Sequence, residues 1–99
     1  MKQNVTSKEI IIIIPKKKYM LDKILEYFPE EDLLKADGFD DAIIGLDNSN
    51  MRLIYSKSIC IEILMSDGMT EEDALEYFEF NVSSAWVGDM TPIWCLDDL

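Results

Sequence analysis

Ala42-Ile43-Ile44-Gly45-Leu46-Asp47-Asn48-Ser49-Asn50-Met51-Arg52-Leu53-Ile54-Tyr55 is the stretch on which the fold turns. Residues 42–46 and 51–55 are two short runs of β-forming residues. The polar cluster between them supplies turn residues that tolerate left-handed backbone, so the segment predicts a hairpin with a four-residue loop at 47–50. Gly45 inside the first run predicts a bulge or a close approach by another backbone.

Helices are expected on both sides of this hairpin. Upstream, Leu21, Ile24, Leu25 and Phe28 fall at i, i+3, i+4 and i+7, one face of a helix beginning near Tyr19 and ended by Pro29. Glu30, Glu31 and Asp32 suit the first turn of a short second helix carrying Leu33 and Leu34, with Gly38 as its stop. Downstream, Ser56 is a plausible N-cap for a helix with Ile59, Cys60, Ile63 and Leu64 on one side, ended by Asp67-Gly68. Thr70, with Asp73 three residues on, marks the start of another helix. In it Leu75, Phe78, Val82, Ala85 and Trp86 form the expected buried stripe, and Gly88 is its expected end. The residues 91–96 read as a last strand with Pro92 at its start or on an edge. At the other end, Ile10-Ile11-Ile12-Ile13-Ile14, bounded by Pro15, reads as a buried strand or a sticky oligomer edge. The expected fold class is α+β: a small, mainly antiparallel sheet of N-terminal strand, central hairpin and C-terminal strand, packed against three to four helices. Residues 1–18 form a basic, Ile-rich leader belonging to the same domain, and residues 19–99 a single acidic α+β domain.

Composition narrows the chemistry. The chain has 99 residues, 9 Lys plus Arg, 20 Asp plus Glu and no His, for a net charge of −11. With 48% apolar residues it has ample material for a core despite that charge. Without His, the commonest general base and every Ser-His or Cys-His nucleophile are excluded. Cys60 and Cys95 have no CxxC or His companions, which leaves a zinc site short of ligands and favours buried thiols. The Ile run is too short for a signal h-region, and no stretch approaches the ~20 apolar residues of a membrane span. A soluble, intracellular chain is expected. The charge is uneven: residues 1–18 carry five Lys and one Glu, and no basic residue follows Lys57. Such a body repels nucleic acid and acidic membranes and attracts basic protein surfaces.

Two groups of residues are candidate sites. Glu72, Glu76 and Glu79 lie together on a face apart from the buried stripe, and Tyr77 and Phe80, residue types that anchor interfaces, flank that stripe on either side. The axial step of the glutamates, roughly 5 Å at 1.5 Å per residue, loosely follows the advance of phosphates along one DNA strand, about 3.4 Å. The plainer reading is a solvated face. The second group is Asp37, Asp40 and Asp41, with Asp47 and Glu79 as further oxygen donors for a hard cation such as Mg²⁺ or Ca²⁺. Neither an EF-hand nor a PD-(D/E)-x-K spacing is present, and helix stopping, turn formation and solubility account for the same residues.

Lys35-Ala36-Asp37-Gly38-Phe39-Asp40-Asp41-Ala42-Ile43-Ile44-Gly45, the string Cys60-Ile61-Glu62-Ile63-Leu64-Met65, and residues 69–92 around Glu76-Tyr77-Phe78-Glu79-Phe80-Asn81-Val82 resemble a family of small acidic proteins of tailed bacteriophages, of unassigned function. The resemblance covers roughly residues 30–94. It implies a phage-encoded protein in the bacterial cytoplasm, a setting in which small acidic proteins bind and inhibit host factors, defence nucleases included. It transfers no catalytic residue. The expected function is therefore non-enzymatic, without cofactor. It is binding of a basic surface on a host or phage protein, such as a nucleic-acid-binding or defence protein, through Glu72, Glu76, Glu79, Tyr77 and Phe80. The alternatives are a divalent-metal protein or enzyme using Asp37, Asp40 and Asp41, and a structural homo-oligomer assembling through residues 10–14.

Overall fold

The computed structural model describes residues 15–97 and 99. The Ile10 to Ile14 strand expected from sequence lies outside them. Helix α1 (Pro15–Tyr27) begins on a proline, whose fixed φ and missing N–H suit a first helical position. It is followed by a single 3-10 turn (Asp40–Ala42), strands β1 (Ile43–Asp47) and β2 (Arg52–Ser56), helix α2 (Lys57–Ser66), helix α3 (Glu71–Tyr77) running into a π-helical turn (Phe78–Val82), and strand β3 (Ile93–Cys95). The class is α+β, and the described residues form three helices and a three-stranded sheet in the order β1-β2-β3.

The hairpin forms where the sequence places it, with its loop one residue later, at 48–51, because Asp47 pairs with Arg52. The left-handed position is taken by Met51 at φ 56°, not by one of the polar residues. The register slips between Ile43 and Gly45, a bulge that leaves Ile43 buried and Ile44 exposed. The sheet is mixed: β1 and β2 are antiparallel, and β2 pairs with β3 in parallel, Ile54 opposite Ile93 and Ser56 opposite Cys95. A parallel neighbour needs a long crossover, and α2, α3 and the π turn provide it.

Two further expectations are overturned. Residues 31–36 are not helical. A helix there would be too short to stabilise its own nucleus. In the non-helical conformation Leu33 and Ala36 pack on the core, and the Ala36 N–H donates to the Tyr55 hydroxyl at 2.8 Å instead of to a helical carbonyl. The helix after Thr70 stops at Val82, six residues before Gly88. Its buried line is Ala74, Phe78 and Val82, while Leu75 is exposed and Trp86, 67% exposed, is no core residue. The core consists of Ile24 from α1, Phe39 and Ala42 at the 3-10 turn, Ile43, Leu53 and Tyr55 from the hairpin, Cys60, Ile61 and Leu64 from α2, and Ala74, Phe78 and Val82. Trp94 of β3 joins its edge, with its ring 4.9 Å from Tyr55 and 5.4 Å, edge-on, from Phe78.

Candidate functional site

Thr70 accepts the Asp73 N–H at 3.1 Å, and Glu71, Glu72 and Asp73 fill the first turn of α3, where the helix dipole favours carboxylates. All three are exposed. Beyond them Glu76 and Glu79 are also exposed, each followed by an exposed ring, Tyr77 at 41% and Phe80 at 72%. Asp73, Glu76, Tyr77 and Phe80 converge, with Met69 and Asn81, on one open depression of about 400 Å³. Of the residues expected at the interface, Glu76, Tyr77 and Phe80 line this depression, whereas Glu72 and Glu79 stand outside it. Asp73, read from sequence only as a capping residue, and Asn81 are additions to the expected set, although 69, 73, 76, 77 and 80 follow helical spacing and carry the signal.

The π turn changes what this face adjoins. The Ser83 N–H reaches back five residues to the Phe78 carbonyl at 2.8 Å, and the Ser84 hydroxyl donates to the Phe80 carbonyl. These bonds close the helix and release Ala85, Trp86 and Val87 into a loop. Thr91 shapes that loop, accepting the Val87 N–H at 2.9 Å and donating to the Gly88 carbonyl at 2.6 Å. The Arg52 guanidinium donates to the Thr91 carbonyl and fastens the loop to β2. Between this loop, the 34–39 segment and β3 lies a cleft of about 400 Å³, walled by Leu34, Tyr77, Val82, Ala85, Val87 and Trp94. Tyr77 and Asn81 line both the cleft and the acidic depression, so the two cavities are neighbours. The Trp94 Nε1–H is buried and finds no acceptor among the described residues.

Asp37, Asp40 and Asp41 border a smaller depression of about 230 Å³ with Lys35, whose ammonium lies 3.2 Å from Asp40 Oδ2. Among the described residues no group of three or more Asp, Glu, Cys or His side chains is arranged to hold a metal ion. The three carboxylates therefore share a depression without converging as ligands, and Asp47 and Glu79 do not line it. Cys60 and Cys95 are both free, and burial pushes the Cys60 thiol up to about 12, leaving it a core group. No helix among the described residues is long and apolar enough to cross a membrane.

Asp97 is a carboxylate that no local motif marks out. It accepts the Ser56 hydroxyl at 2.5 Å and the Ser58 N–H at 3.0 Å, while Ser56 itself accepts the Ile59 N–H. The tail thus completes the N-cap of α2 across 41 residues of chain. Those bonds, the Ser56 hydroxyl first, hold the Asp97 carboxyl below its ordinary range. A depressed carboxylate stabilises the fold above the unfolded pKa and loses that contribution as pH falls through the folded one. Asp97→Asn is therefore expected to cost about 0.5 kcal/mol near neutral pH, the lower end of the range because the group faces solvent. Urea titrations of both chains should show the difference shrinking as pH drops below about 4.

Comparison with protein-family models, with curated proteins and with solved structures finds no match.

Proposed function

We propose that the protein is a non-enzymatic binding protein that holds a basic surface of another protein against the face of α3, in the cytoplasm of a phage-infected bacterium. The proposed partner is a host or phage protein of the kind whose own basic surface handles nucleic acid, a defence protein included. The reading rests on one observation above all: Asp73 and Glu76 share a depression with two exposed aromatic rings, Tyr77 and Phe80. Aromatic rings give contact area at low entropic cost, and carboxylates beside them select Lys and Arg. The run of 42 residues from Ser58 to the end without a cation supports the same reading, since its field draws basic surfaces in and turns nucleic acid away.

The test is affinity capture from bacterial lysate with the full chain and with Glu72→Lys, Glu76→Lys, Glu79→Lys combined. The partner is expected to dissociate as salt rises toward several hundred millimolar, where the Debye length falls to a few ångströms. The triple variant is expected to bind at least roughly tenfold more weakly with its circular dichroism unchanged. A captured protein held equally by both chains would defeat the reading.

A further inference from the structure

We propose that the cleft beside α3 is the anchor pocket of the same interface: it takes one branched aliphatic side chain of a short basic segment, whose flanking Lys or Arg residues reach Asp73 and Glu76. The inference rests on the acidic-face reading and adds the chemistry of the segment that binds. Three observations carry it. The walls are apolar, with Val87 and Leu34 exposed at the rim, and contiguous exposed apolar surface marks a contact site more often than chance. Tyr77 and Asn81 form a common wall with the acidic depression, so a peptide seated in the cleft passes the carboxylates within a residue or two. The Trp94 ring lines the cleft, and its indole N–H is buried without an acceptor among the described residues, so a side chain seated against the ring alters the surroundings of that N–H. Charge complementarity fixes the sign of the segment: Lys35 and Asp37 both line the cleft, Lys35 is paired with Asp40, and Asp73 and Glu76 in the adjoining depression leave the surplus charge negative.

The experiment uses the full chain carrying Trp86→Phe, which leaves Trp94 as its only tryptophan. The probes are the capped peptides Lys-Lys-Leu-Lys-Lys, its Ala-centred counterpart, and Glu-Glu-Leu-Glu-Glu. Binding is followed by Trp94 fluorescence and by the indole N–H resonance. The Leu-centred basic peptide is expected to move that resonance and to bind roughly tenfold or more tighter than the Ala-centred one. The acidic peptide is expected not to bind. Ala85→Phe, which fills the cleft from an exposed position, and Val87→Glu, which makes its rim polar, are each expected to abolish the advantage of Leu over Ala.

Equal, salt-sensitive binding of the Leu- and Ala-centred peptides would overturn the anchor and leave the acidic face standing. Failure of every peptide would overturn both. Binding of the acidic peptide as tight as the basic one would remove the charge requirement and with it the proposal. Self-association of the free chain that Ala85→Phe abolishes, seen by sedimentation, would give the cleft to a second copy instead. A shift of the Trp94 resonance on Ile12→Asp without added peptide would give it to the chain's own leader.

Discussion

Phe78→Ala is expected to lower the free energy of unfolding by about 3–5 kcal/mol, the range for deleting a fully buried aromatic ring. Phe78 is 1% exposed and sits where α3 passes into the π turn. Its ring meets Trp94 edge-on at an interplanar angle of 85°, so its loss removes both buried area and a favourable ring contact. The neighbours are tied down: Ala74 and Val82 belong to the same helical line, and β3 is held in register by β2. They have little freedom to close over the void, which places the cost in the upper part of the range. A domain of this length has roughly 5–15 kcal/mol in all. The variant is therefore expected to melt on the order of 15–30 °C lower. Urea denaturation followed by far-ultraviolet circular dichroism measures the effect. A loss under about 1.5 kcal/mol would show that the site repacks and that Phe78 does not join the crossover to the sheet.

The parts of this fold that sequence discloses are those specified by neighbours in the chain. Ser56 and Thr70 act as N-caps as their context predicts, the bulge occurs at Gly45, and the hairpin closes within one residue of its expected loop. Residues whose placement depends on distant partners were not legible. Ala36 stays out of a helix because Tyr55, 19 residues later, accepts its N–H. The direction of β3 is set by what lies between Ser56 and Ile93, not by any feature of residues 93–95. Trp86 had the right spacing for the core, and only the change from α to π hydrogen bonding at Phe78 turns it away. The site divides along the same line. The acidic and aromatic face of α3 is one helical surface, so periodicity reveals it. The cleft is walled by Leu34, Val82 and Trp94 from three separate segments, and no local spacing in the sequence unites them.

The uneven charge acquires a structural meaning from this arrangement. Carboxylates at Glu71, Glu72 and Asp73 are compatible with the fold because they face solvent at a helix N-terminus, where backbone N–H groups offset part of their mutual repulsion. Glu76 and Glu79 lie beyond that favourable turn and are also exposed. They draw little from that dipole, and exposure to solvent keeps their charge compatible with the fold.

Tyr55→Phe, which removes a single oxygen, is expected to cost about 1–3 kcal/mol, because the Ala36 N–H then loses its acceptor in a part-buried position. Tyr55 is fully buried, and burial, opposed in part by the Ala36 bond and reinforced by Asp40, pushes its hydroxyl up to about 12. A group whose pKa is raised on folding stabilises the fold fully below its unfolded value and loses that contribution as pH climbs toward the folded one. The wild type should thus weaken between about pH 10 and 12, while Tyr55→Phe, lacking the hydroxyl, should not show that component. Hydrogen exchange separates the local from the global effect. Loss of the bond should speed exchange at the Ala36 amide more than at Leu53 or Ile54, whose N–H groups belong to the central strand. The 34–39 segment forms one wall of the cleft, so the same variant should also loosen the Leu34 side of the pocket and weaken binding of the Leu-centred basic peptide. Unchanged Ala36 protection in Tyr55→Phe would mean that Leu33, Ala36 and Phe39 hold the segment by packing alone, and that Tyr55 contributes to the cleft only through its ring against Trp94.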